Sequence, residues 1–114
     1  MITKTFNKKV SKEKTDHFVI PAGVLEITEW SVGCEFFPNS SLKGILYYVK
    51  DGDRKKNNWK ILDRIYTKQG NYKKTLSTPI VVTSEGSAEI VLKASVLGKH
   101  GNREVFMQWV GDLY

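Results

Sequence analysis

Acid–base, nucleophilic or metal chemistry in this chain would have to run through very few side chains. The sequence holds two histidines, His17 and His100, and one cysteine, Cys34. A hydrolytic triad needs Ser or Cys, a His and a carboxylate brought together. His17 adjoins a strand start and His100 sits in a glycine loop, so both read as surface histidines. A zinc site needs three or four ligands at recognisable spacing, and none is present. Cys34 shares a strand face with Trp30, Val32 and Phe36, the setting of a small buried core residue. The loop opened by Asp51-Gly52 lacks the later acidic positions and terminal glutamate of a calcium loop. Carboxylate pairs for glycoside hydrolysis are a matter of spatial separation and leave no trace here. The expectation is a protein that is not an enzyme, with no metal and no cofactor.

What remains is binding chemistry. Trp30, Trp59, Trp109, Tyr47, Tyr48, Tyr66 and Tyr72 could build a stacking face, although in a sandwich many such rings fill the core. A glycan site would need outward, coplanar rings, and Tyr48, Trp59 and Tyr66 are the candidates. The formal net charge is +6, and the stretch from Lys50 to Lys74 carries nine basic residues against Asp51, Asp53 and Asp63. Such a stretch can hold nucleic acid or another acidic partner, or can be a solvated face. Trp59 beside Arg54, Lys55 and Lys56 resembles an aromatic in a basic loop that grips single strands. No RNP, KH or cold-shock motif accompanies it, which leaves nucleic acid a secondary alternative. At the N-terminus Lys4, Phe6, Lys8 and Lys9 lie in a polar segment that would either fray or dock on a neighbour. The candidate partner contacts are therefore Lys4, Phe6, Lys8, Lys9, Arg54, Lys55, Lys56 and Trp59.

These residues need elements to hold them. The cleanest pattern is Ser87 to Leu97. Ala88, Ile90, Leu92, Ala94 and Val96 share one face, with Ser87, Glu89, Lys93 and Ser95 on the other, the period of a strand with one buried side. His17 to Ile20 is a short strand before the turn Pro21-Ala22-Gly23. In Val24 to Phe37 the phase changes. Leu25 and Ile27 share one face, and after Glu29 the sequence Trp30, Val32, Cys34, Phe36 takes over. That change predicts a bulge or a change of sheet, with Gly33 available to help the bend. Lys43 to Lys50 is apolar on both faces, as in a central strand. Trp59 to Tyr66 fits a strand, or a helix capped by Asn58 and stopped by Gly70; the β neighbours favour strand. Tyr72 to Leu76 reads as an edge strand guarded by Lys73 and Lys74, Pro79 to Thr83 as another, and Glu104 to Leu113 as the last.

A length of 114 residues fits one domain able to bury a modest core. One cysteine excludes an internal disulfide and favours a reducing compartment or a particle assembled in one. No apolar run reaches the roughly 20 residues of a membrane-spanning helix, so no membrane partner is expected. The N-terminal lysines precede no apolar stretch of the signal-peptide kind. Some eight short strands separated by turns predict an all-β fold, a single-domain antiparallel β-sandwich of jelly-roll type over 17–114, preceded by a short basic arm over 1–16.

The stretch F-V-I-P-A-G-V-L-E-I, Phe18 to Ile27, following a basic segment, resembles the start of small β-sandwich virion proteins of tailed bacteriophages, the capsid decoration proteins and the knob modules of head or tail fibres. Carbohydrate-binding and receptor-binding sandwiches begin similarly. The resemblance covers about ten residues and the general layout. It implies a non-catalytic structural protein of the virion, present in several copies and contacting its own copies or a capsid or fibre protein. It transfers no functional residue. A carbohydrate-binding module is the alternative.

Overall fold

A computed structural model describes residues 2–10, 13–34, 41–52, 59–68, 70–97 and 103–114. Eight strands are described: β1 (Ile2–Val10), β2 (Glu13–Val19), β3 (Gly23–Cys34), β4 (Ser41–Val49), β5 (Lys60–Thr67), β6 (Asn71–Ser84), β7 (Glu89–Leu97) and β8 (Arg103–Leu113). They form two four-stranded sheets, β1-β8-β3-β6 and β2-β7-β4-β5. Every ladder is antiparallel. Successive strands alternate between the sheets at both ends of the chain, and β8 returns to lie between β1 and β3, the strand order of an eight-stranded jelly roll.

The core forms where the alternation required it. Ala88, Ile90, Leu92, Ala94 and Val96 of the β7 segment are buried against Leu25, Ile27, Trp30 and Val32 of β3 and Val105, Met107 and Trp109 of β8. The phase change in β3 is a bulge at Thr28. Ile27 pairs with Gly111 and Glu29 with Val110, which leaves Thr28 as the extra residue. Its hydroxyl donates to the Val110 carbonyl at 3.3 Å. The bulge keeps both apolar runs of β3 facing inward. Gly33 lies beyond the bend, inside a regular ladder with Phe106 and Asn71.

Two expectations change. The segment 1–16 is not an arm: β1 pairs with β8 over its whole length, and β2 begins at Glu13 on β7. Tyr72–Leu76 and Pro79–Thr83 are parts of one 14-residue strand, β6. Leu76 to Pro79 fit between the pairs Glu29↔Thr75 and Ile27↔Ile80, opposite Thr28 alone. Pro79 is tolerated there because β6 is an edge strand. For 59–66 the strand reading holds, since β5 pairs with β4.

Two side-chain devices fix the sheet separation. Gly44 of β4 lies beneath Trp30: a Cβ at Gly44 would stand 2.8 Å from Val32 Cγ1 and 3.2 Å from the Trp30 ring. The Trp30 indole N–H donates to Asp63 Oδ2 of β5 at 2.8 Å, and Lys74 Nζ of β6 donates to Asp63 Oδ1 at 2.8 Å. Asp63, an interruption when β5 is read as a simple apolar face, therefore ties the two sheets together.

Candidate functional site

On the outer face of the β2-β7-β4-β5 sheet, between Glu89 and Lys93 on the polar side of β7, stands the apolar Val91. It is buried although it lies outside the core cluster between the sheets. His17 and Tyr47 are its cross-strand partners on either side. Trp59, just before β5, completes the cover. Its ring meets Tyr47 edge-to-face at 5.4 Å and His17 at 5.7 Å. Such T-shaped contacts bring the positive edge of one ring to the negative face of another. Trp59 is thus held as a wall, half exposed, by rings from β2 and β4.

That wall borders a cleft of about 500 Å³, lined also by His17, Val19, Val49, Lys50 and Glu89 and by Gly52, Gly86 and Ser87 of two turns. Val19 is 56% exposed, so the lining is partly apolar and open to solvent. His17 Nδ1 lies 3.2 Å from Glu89 Oε1. The two glycines hold positive φ, 73° at Gly52 and 123° at Gly86, and a Cβ at either would meet nothing within 4 Å. Their turns give the cleft a side without bulk.

Below the cleft Asp51 organises the β6–β7 turn. Its carboxylate accepts from the Glu85 N–H at 3.0 Å, the Ser87 N–H at 2.9 Å, the Ala88 N–H at 2.9 Å and the Ser87 hydroxyl at 3.1 Å. The Ser87 N–H foremost, opposed by partial desolvation and joined by the Glu85 and Ala88 amides and the Ser87 hydroxyl, holds its carboxyl below the usual range. On the other flank Ser84 Oγ donates to the Ile20 carbonyl at 2.7 Å and accepts from the Gly86 N–H at 3.0 Å.

Ser87, His17 and Glu89 line one cleft, the residue types of a hydrolytic triad. His17 Nδ1 faces Glu89 as it would face the acid of a triad, but the Ser87 hydroxyl donates to Asp51. Cys34 is buried in the core, in the other sheet from His17.

Of the residues expected from sequence, Trp59 lies in the cleft. Arg54, Lys55 and Lys56, and His100, lie outside the described residues. Lys4, Phe6, Lys8 and Lys9 are register partners of Trp109, Met107, Val105 and Glu104 within β1; they belong to a strand, not to a free arm. The coplanar pair of outward rings expected among Tyr48, Trp59 and Tyr66 is not formed. The Tyr48 hydroxyl donates to the Thr83 carbonyl across the sandwich, and Tyr66 stands exposed further along β5. In the basic stretch, Lys74 pairs with Asp63 and Lys73 with Glu29 at 3.3 Å. Sequence reading missed Asp51, His17 and Glu89 as one site. The alternation of β7 does place Ser87 and Glu89 on one face, but nothing in the sequence brings Asp51 or His17 to them.

No protein-family model and no curated protein matches the sequence. Among solved structures, the chain is similar in outline to the periplasmic g-type lysozyme inhibitor PliG of Aeromonas hydrophila, at 9% identity and a TM-score of 0.43, covering 97% of this chain and 85% of that one. It is similar to a family 16 carbohydrate-binding module at 13% identity and a TM-score of 0.45, covering 96% and 75%. It is also similar to a protein of Desmodium yellow mottle tymovirus at 5% identity and a TM-score of 0.44, covering 96% and 83%.

Proposed function

We propose that this protein is a non-catalytic binding module that takes a glycan in the cleft beside Trp59. The observation that carries the reading is the cleft itself: a rigidly held indole and several hydrogen-bonding side chains line one cavity. A sugar presents apolar C–H faces and a rim of hydroxyls, so its site needs flat apolar surface beside mixed donors and acceptors. Trp59 and Val19 supply the first. Glu89 accepts, Lys50 donates, Ser87, its proton given to Asp51, accepts, and His17 can do either according to tautomer. A volume near 500 Å³ falls in the range of about 300–1,000 Å³ usual for small-ligand sites.

The test is a glycan array followed by calorimetry on the best hit. Trp59→Ala should weaken binding at least about tenfold, or about 1.4 kcal/mol, while Tyr66→Ala should leave it unchanged. An array without hits would remove the reading.

A second reading, a virion accessory protein contacting its own copies, rests on a different surface. Val24, Val81 and Tyr114 are exposed on the outer face of the β1-β8-β3-β6 sheet, where Val24 bonds to Tyr114 and Glu26 pairs with Val81. Light scattering after size exclusion tests it: Val81→Lys should dissociate an assembly held by this face, and a concentration-independent monomer counts against it.

A further inference from the structure

We infer that Asp51 is the positioning residue of the cleft, fixing the Gly86–Ser87 wall at a set distance from the Trp59 wall. The inference rests on the glycan reading for what the cleft holds, but not for the mechanical role of Asp51. Asp51 follows β4 and leads into the turn at Gly52. The turn it grips, 85–88, joins β6 of one sheet to β7 of the other. Among the described residues its carboxylate collects three main-chain N–H groups and one hydroxyl from that turn. Successive N–H groups converging on one carboxylate form an anion nest, here filled by the protein's own side chain.

The geometry explains why a carboxylate is needed. Gly86, with φ at 123°, lacks a side chain to pack, and a Cβ there would meet nothing within 4 Å. The turn therefore has no apolar anchor at its tip and is held by polar contacts. Ser84 Oγ fixes the β2 side by way of the Ile20 carbonyl, and the Ile20 N–H donates to the Ala88 carbonyl at 2.8 Å. Asp51 fixes the β4 side. Without it the Gly86–Ser87 wall would be held on the β4 side only through the last ladder pair, Val49↔Glu89. The Ser87 hydroxyl would also lose the acceptor that orients its lone pairs toward a ligand. Asp51 lines no part of the cleft itself, so its effect is on wall position.

The experiment compares the full chain with Asp51→Asn by amide hydrogen exchange and by binding of three neutral probes, galactotriose, cellotriose and mannotriose. Exchange at Glu85, Ser87 and Ala88 should rise at least about tenfold, with rates at Trp30 and Trp109 little changed, as for local opening. The dissociation constant of any probe bound by the wild type should rise at least about fivefold. Unchanged exchange at the three amides overturns the inference. Faster exchange with no probe bound by either protein leaves Asp51 in its role and removes the glycan reading. Faster exchange with unchanged affinity for a bound probe shows that the wall does not matter to binding and also overturns the inference. If Asp51→Asn does not fold, the wild-type amide shifts decide. Those of Glu85, Ser87 and Ala88 should titrate together with one midpoint below the ordinary carboxylate range, and independent midpoints would refute the shared acceptor.

Discussion

At Asp63 opposing effects on a single carboxylate can be ranked. Burial pushes its pKa up; the hydrogen bonds from Lys74 and Trp30, the Arg64 N–H and the Lys74 charge together outweigh it, and the carboxyl sits below its ordinary value. A carboxyl depressed in the folded state stabilises the fold at pH values above its unfolded value, and that contribution disappears as pH falls through the folded value. The Asp63 contribution to stability should therefore be lost as pH falls from the ordinary carboxylate value through its lower folded value, and Asp63→Asn should flatten that part of the stability–pH curve when unfolding is followed by tryptophan fluorescence. Asp63→Ala should cost about 2–4 kcal/mol in urea unfolding, because it strands a buried indole N–H and a half-buried ammonium. None of this was legible in sequence. The partners of Asp63 are 11 and 33 positions away, and in the sequence it only breaks an apolar face. The same holds for His17, whose partner Glu89 is 72 positions distant.

Strands were the most readable level, since a period of two is a local property. The β7 pattern and the phase change in β3 each translate into a single physical feature, a buried face and the Thr28 bulge. β1 was less readable because lysines hold the positions paired with buried Trp109 and Val105, which breaks the alternation. Close approach of the sheets was also invisible beforehand, and Gly44 is its marker. Gly44→Ala would place a Cβ 2.8 Å from a buried valine methyl, beneath a Trp30 ring that Asp63 prevents from yielding. Thermal and denaturant unfolding should show a loss of about 1–3 kcal/mol, the usual cost of overpacking. A neutral outcome would mean that the sheets can move apart at this point.

For the molecule as a whole, the jelly roll makes the N-terminus part of the sandwich. Deleting residues 1–16 removes β1 and the first half of β2. β8, which carries the buried Met107 and Trp109, would become an edge strand, and the far-ultraviolet β signal and cooperative unfolding should both be lost. A stable, cooperatively folding truncation would restore the free arm suggested by the lysine-rich sequence. Function at this scale turns on which sheet face meets a partner. The aromatic-walled cleft is on the β2-β7-β4-β5 side, and Val24, Val81 and Tyr114 are exposed on the other sheet. The most direct measurement is an amide and indole NMR titration of the full chain with the best array glycan. Binding in the cleft should shift the Trp59 indole N–H and the Gly86, Ser87 and Glu89 amides along one saturable curve. Saturable shifts confined to Val24, Val81 and their neighbours on the opposite sheet would contradict it.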